Sequence, residues 1–258
     1  MRGYLSFLAA ALCAGACVVQ AAGQVVIAAG DFQYTGDKGP GFWGEISPAC
    51  APTSVRQSPI DIDRVVMDAK LEPLHVISTE TATLVSNPGY TLVGRTNNGP
   101  TLELDRHVTY SFVEFHFHSL SEHTVQGQYG ALELHVVFVD PSLQKLAVIG
   151  VIFKAGKSNP FLQTMISAGL PQKSTSAPVT VQRLNVADAF TDTASYYNYP
   201  GSLTTPPCSE TVNWFVLKRW AEASAEQLEA FRKVLGNDFR PLQTRNGRVV
   251  KATPRGPF

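Results

Sequence analysis

Residues 111–123 read SFVEFHFHSLSEH, and the reading of this stretch decides how the chain is folded around it. Side chains two apart on a β-strand share a face. As a strand, the segment sends His116 and His118 one way and Phe115 and Phe117 the other. Two imidazoles on one face, backed by aromatics, make either an oddly polar core or part of a metal site.

The next apolar run, GALELHVVFVD from Gly130 to Asp140, puts His135 seventeen residues after His118. The turn-rich Ser119–Gly130 segment between them predicts an antiparallel pair of neighbouring strands. His135 then comes beside His116 and His118. Three neutral imidazoles on two rigid strands suit a tetrahedral zinc whose fourth position is open, and an open position points to catalysis. Glu114 and Glu133 each stand two residues before a candidate ligand. They can take the second ring N–H of His116 and His135 and so set the tautomer. Two other readings compete: histidines scattered through core and surface, or a cupin-like site in which Glu122 of His116-x-His118-x-x-x-Glu122 is itself a ligand. The cupin pattern wants a glycine where Tyr110 stands and a later histidine, and none follows His135.

Outward from this stretch, the chain of 258 residues is 44% hydrophobic, as expected of globular proteins. Lys+Arg and Asp+Glu balance at 21 each with no run of like charge, which argues against a nucleic-acid or acidic-membrane partner. Residues 1–22 have one early cation, Arg2, an apolar run from Tyr4 to Val19, then small residues. That is the anatomy of a secretory signal cleaved at Ala21 or Ala22. A membrane anchor, a buried helix and lipid attachment at Cys17 are the alternatives. No later segment is apolar enough to span a bilayer. Cleavage removes Cys13 and Cys17 and leaves Cys50 and Cys208, which an oxidising compartment would pair; two free thiols are the alternative. The product would be secreted, to the periplasm or the extracellular space. Nothing sets an oligomeric state.

Residues 23–258 show no repeat and no linker, so one domain is expected. Residues 31–59 read as an ordered wrap with few regular elements. Strands are expected at Ala82–Val85, Tyr90–Gly94, Leu102–Leu104, Tyr110–His118, Ala131–Val139 and Leu146–Lys154. The AVIGVIF run within the last is apolar enough to be buried on both faces. Helices are expected at Phe161–Ala168, stopped by Gly169, and after Ser224, which caps with Gln227 before Gly236 ends the run.

FHFHSLSEHTV, LELHVVF, RQSPIDI and YPGSLTTPPCSETVNWFVLK together resemble the α-class carbonic anhydrases, from about Phe32 to Val250. The resemblance implies a mainly β (mixed α/β) single domain. Its centre would be a large, twisted, mostly antiparallel sheet of ten-stranded type, with short peripheral helices. It implies Zn²⁺ on His116, His118 and His135, with Glu114 and Glu133 behind His116 and His135. It implies reversible hydration of carbon dioxide to bicarbonate and a proton, by attack of zinc-bound hydroxide. Thr204 would orient that hydroxide and donate to Glu122, and Thr205 would shape the mouth. Val137, Val148, Leu203, Val212 and Trp214 would form the apolar wall for CO₂. Tyr34 and Asn98 would organise cavity water, His123 would be a buried structural histidine, and Cys50–Cys208 would be the disulfide of secreted members. Sulfonamides and simple anions would inhibit.

The family's fast members carry a shuttle histidine in a segment reading NNGH. Matching it to NNGPTLEL puts Pro100 at that position, with Glu103 as a weak substitute. The expectation is slow proton export. A catalytically inactive binding module on the same fold is the alternative function.

Overall fold

The computed structural model describes residues 28, 30–104, 108–140, 142, 145–173 and 176–254. The candidate signal, residues 1–22, and His107 lie outside them.

The long strands sit where apolar alternation and β-branched residues place them. Val108–His118, Leu132–Asp140 and Lys145–Ala155 are consecutive antiparallel neighbours. They occupy the centre of a 13-stranded sheet, ten strands along its main path and three beside it. Most pairs are antiparallel; Leu146–Gly150 pairs parallel with Val212–Val216, Phe153–Ala155 with Ala221–Ala223, and Val250–Ala252 with Val65–Met67. The Lys145–Ala155 strand is buried from Leu146 to Phe153, which explains its continuous apolar run.

One sheet face carries the main hydrophobic core, where Phe115 and Phe117 meet Phe161 and Phe231 from the two main helices. Those helices have the expected ends. Pro160–Ala168 is capped by the Asn159 side chain and stopped by Gly169 at φ 98°. Ala225–Leu235 has a full capping box from Ser224 and Gln227 and ends at Gly236, φ 73°; such a cap is worth about 1 kcal/mol. Both glycines hold backbone angles that other residues resist. The opposite face carries the histidines and a second apolar cluster.

Residues 31–59 form the expected wrap, with three-residue 3₁₀ turns and one short helix, Trp43–Ile46. Trp43 is fully buried there, and its indole N–H is shared between the Gln33 and Lys38 carbonyls. The Cys50–Cys208 disulfide ties this wrap to the loop following Tyr196–Gly201, across a sequence separation of 158.

The expected Tyr90–Gly94 strand starts later, at Val93. Residues 87–92 turn and bend before it, bringing Tyr90 against Phe32 with ring centroids 4.9 Å apart.

Candidate metal centre and active site

His116 pairs directly with His135 across the central strands, and His118 lies opposite Glu133. Two residues on from His135, Val137 lies opposite Val148, which lies opposite Trp214. The histidine row and the apolar row are therefore adjacent on one face. Gly150 stands opposite His135, and a Cβ there would come within 3.0 Å of Glu133 Oε1. Glycine leaves that carboxylate its room.

Two of the imidazoles are hydrogen-bonded through one nitrogen, and the third, His116, has a nitrogen facing a carboxylate without a hydrogen bond. His118 Nδ1 meets the Asp238 carbonyl at 2.7 Å. His135 Nε2 meets Glu133 Oε1 at 2.9 Å, and His116 Nδ1 lies 3.3 Å from Glu114 Oε1. The inward nitrogens converge: His116 Nε2 and His135 Nδ1 are 3.2 Å apart, and His118 Nε2 is buried with no hydrogen-bond partner. The three residues offer ligand atoms within 4.8 Å of one another. Burial and the neighbouring imidazoles hold His118 well below its usual pKa, and burial carries His135 down to about 4 against the pull of Glu133. Three buried imidazoles whose inner nitrogens lie this close together, with acceptors behind their outer nitrogens, fit a zinc ion.

Glu133 is buried yet accepts backbone N–H bonds from Glu122 and His123 and ring contacts from His123 and His135. Burial alone would raise its pKa, but the two histidines and these bonds bring it well below the carboxylate range. His123 is the structural histidine expected; its Nε2 meets the Tyr199 hydroxyl at 2.7 Å.

Glu122 is fully buried and its Oε2 lies 3.4 Å from His118 Nε2. Its Oε1 accepts the Arg240 backbone N–H at 2.7 Å, and its carboxylate accepts the Thr204 hydroxyl. Burial pushes the Glu122 carboxyl well up, with these two donors working against that. Thr204 and Thr205 are buried in the loop that Cys208 anchors. Gln57 from RQSPIDI donates to the Cys208 carbonyl, and Ser47 to that of Pro207. Val137, Val148, Leu203, Val212 and Trp214 all belong to the cluster on this face. Trp214 packs 4.7 Å, centroid to centroid, from both His123 and His135.

Tyr34 also reaches this region. Its buried hydroxyl has no hydrogen-bond partner in the protein, and burial with Glu122 and Asp238 nearby keeps it well above the usual phenol range.

Asn98, Pro100 and Glu103 do not come to the site. Asn98 is an exposed turn residue. Thr101 pairs with Ser111, and Glu103 with Thr109 and His75, toward the far end of the strand from His116. At about 3.3 Å per residue, Ser111 lies about 16 Å along that strand from His116. The residue that pairs with His116 is Val93, so the segment running along the histidine end of that strand is the one before Val93, where the Thr91 hydroxyl donates to the Phe117 carbonyl. NNG at Asn97–Gly99 is a local look-alike. Tyr90 lies within reach of the Glu114 and Arg95 charges; burial first, then the Glu114 charge, pushes its hydroxyl up to about 12.

Sequence reasoning also missed Asp238, whose carbonyl meets His118, and Arg240, whose backbone N–H donates to Glu122 while its guanidinium holds Gln57 Oε1 and the Ser58 carbonyl; each lies over a hundred residues from the site residue it serves. Val113 was missed because the register shifts at this point: Val137 pairs with Glu114 and Phe138 with Phe112, leaving Val113 as the extra, unpaired residue of a bulge, and it packs against the same apolar cluster. Strict alternation would put it on the other face from Glu114.

A single β-rich domain with three histidines on the central strands of a twisted sheet defines a class: proteins that gather candidate metal ligands on one sheet face. The profile of the family described as eukaryotic-type carbonic anhydrase matches residues 38–254. The chain is similar to the carbonic anhydrase of Pectobacterium carotovorum, 36% identical over 224 residues covering 84% of this chain and 88% of that one. Among solved structures it resembles the α-carbonic anhydrase of Photobacterium profundum, at 37% identity and TM-score 0.80, covering 86% of this chain and all of that one. It also resembles the Thermovibrio ammonificans enzyme in complex with the inhibitor sulfanilamide, at 37% identity and TM-score 0.79, covering 86% and 98%. The chain belongs to the α-carbonic anhydrase family and is an enzyme of that kind.

Proposed function

We propose that the protein reversibly hydrates carbon dioxide at a zinc ion held by His116 Nε2, His118 Nε2 and His135 Nδ1. The observation that carries this is the convergence of those three nitrogens, each with its opposite nitrogen already engaged or faced by an acceptor. Zinc so bound acidifies water, supplying hydroxide near neutral pH. The chain's own residues do the rest. The row of Val137, Val148 and Trp214, with Leu203 and Val212, offers CO₂ a niche without competing hydrogen-bond donors. Thr204, its proton committed to Glu122, has only acceptor lone pairs left, so it orients a donor O–H beside it and selects ligands that carry a proton. Tyr34 holds cavity water through its unpartnered hydroxyl.

Bicarbonate release leaves one proton to export. Among the described residues no histidine stands at the mouth, and Tyr90, titrating at about 12, keeps its proton throughout the neutral range. Export is therefore slow and limits turnover unless buffer carries the proton. Asn98 and Pro100 take no part.

Residues 1–22 are proposed to be a cleaved signal, and residues 23–258 the catalytic domain, exported to the periplasm or outside the cell. Support comes from the Cys50–Cys208 disulfide, since such bonds persist in oxidising compartments. No helix among the described residues is long and apolar enough to cross a membrane. Sulfonamides and small anions are expected inhibitors.

Stopped-flow CO₂ hydration by zinc-loaded and zinc-stripped protein, over a series of imidazole concentrations, tests the reading. Zinc-dependent turnover that climbs and saturates with buffer is expected. No zinc-dependent turnover at any buffer level would overturn it.

A further inference from the structure

The carboxylate behind His116 does not stand alone. Glu114 lies on the ligand face of the Val108–His118 strand, its side chain only 4% exposed, with Oε1 3.3 Å from His116 Nδ1. Val93 and Gly94 pair with His116 and Phe115, so Arg95 arrives level with Glu114 from the neighbouring strand. Its guanidinium donates to Glu114 Oε2 while the Arg95 side chain remains 56% exposed. Tyr90 feels both charges, the Glu114 charge raising its pKa and Arg95 lowering it. The pair therefore sits at the rim beside Tyr90, one imidazole away from the metal position.

A lone ionised Glu114 would put a full negative charge against the ring of His116. It would repel any anion approaching the centre. A lone Arg95 would do the opposite. Side by side they cancel, and the mouth behaves as if a neutral group backed His116. The exposed arginine is thus more than a surface ion pair of small worth, because one partner is buried and lies against a ligand.

We propose that Arg95 and Glu114 form a charge-cancelling couple, with Arg95 a positioning residue that sets how strongly the centre takes monovalent anions, bicarbonate and ionised sulfonamides among them. The inference rests on the zinc reading above and deepens it. Removing either charge alone unmasks the other, so the two losses act in opposite directions.

The experiment compares zinc-loaded wild type, R95M, E114Q, R95K and R95M/E114Q. Two quantities are read at one fixed pH and ionic strength: the Kd of a fluorescent sulfonamide, and the inhibition constant of iodide. One unit charge roughly 8 Å away in a partly solvated mouth changes anion affinity by about fivefold. R95M should weaken both ligands by about that factor and E114Q should tighten both. R95K should stay near wild type, and the double variant should return to within about twofold of it, as cancelling charges require. Single variants that shift the same way, or a double variant worse than either, would overturn the couple in favour of a packing role. Unchanged constants in all variants would overturn it too. Sulfonamide binding by zinc-loaded wild type is read first; its absence would overturn the zinc reading itself, whereas binding without opposite shifts would sink only the couple.

Discussion

His118 Nδ1 meets the backbone carbonyl of Asp238 at 2.7 Å, across 120 residues of sequence. That contact turns Nε2 toward the other two imidazoles, where it has no hydrogen-bond partner. A strand face brings the histidines together, but a distant loop sets the tautomer of one of them.

Loss of a ligand should therefore cost more than loss of an outer partner. His118→Ala is expected to lower zinc affinity by more than about a hundredfold, the upper range for outer-partner changes. Zinc retained after dialysis against a graded chelator series measures it. Retention equal to wild type would remove His118 from the ligand set.

Thr204 and Glu122 act through one hydrogen bond. Thr204→Ala and Glu122→Gln should each lower kcat/KM by about a hundredfold, as losing one oriented polar group commonly does. The double variant should be little worse than either single one, because both remove the same orientation. Additive losses would mean that the residues act separately.

Under the proposed function Tyr90, not Pro100, stands at the mouth. Tyr90→His should raise kcat at low buffer by about tenfold or more and flatten the imidazole dependence. Pro100→His should leave the buffer curve as it is. The reverse pattern would restore Pro100 to the site.

The same tyrosine ties stability to alkaline pH. In the fold Tyr90 keeps its proton to about 12, while an unfolded tyrosine ionises near about 10. Its contribution is fully present below the unfolded value and is lost as pH rises through the folded one, amounting to about 3 kcal/mol at most. Tyr34, Tyr197 and Tyr199 are raised by burial and act in the same sense. Urea midpoints should fall as pH climbs above 10, and Tyr90→Phe should make that fall shallower. An unchanged slope would contradict the burial argument.

Replacing Cys50 and Cys208 together by serine should lower stability by about 3–5 kcal/mol, the range for long loops. Thermal unfolding measures it. CO₂ hydration by the folded fraction should change little, because Ser47 and Gln57 still hold the carbonyls of Pro207 and Cys208.

The histidine face was legible because strand alternation is local: His116 and His118 share a side wherever their strand lies, and the short connection to His135 leaves an antiparallel neighbour as the simple outcome. Both helix caps were legible for the same reason, Ser224 and Gln227 being three residues apart. That Val137, Val148, Leu203, Val212 and Trp214 share one apolar cluster was legible through long motifs that keep their residues in order. Position at the mouth was not. NNG at Asn97–Gly99 looks right by itself, but mouth position follows from which residue pairs with His116, and that residue is Val93. Between Gly94 and Thr101 the pairing with the central strand shifts, and no local pattern records such a shift.

Asp238, Arg240 and Arg95 were illegible for a related reason. Each acts on a site residue through a contact made only when distant segments or neighbouring strands are in register. Alternation and capping depend on neighbours within a few residues and are written in the chain. Tautomer, charge balance and mouth identity depend on which segments meet, and that is decided by the packing of the whole sheet.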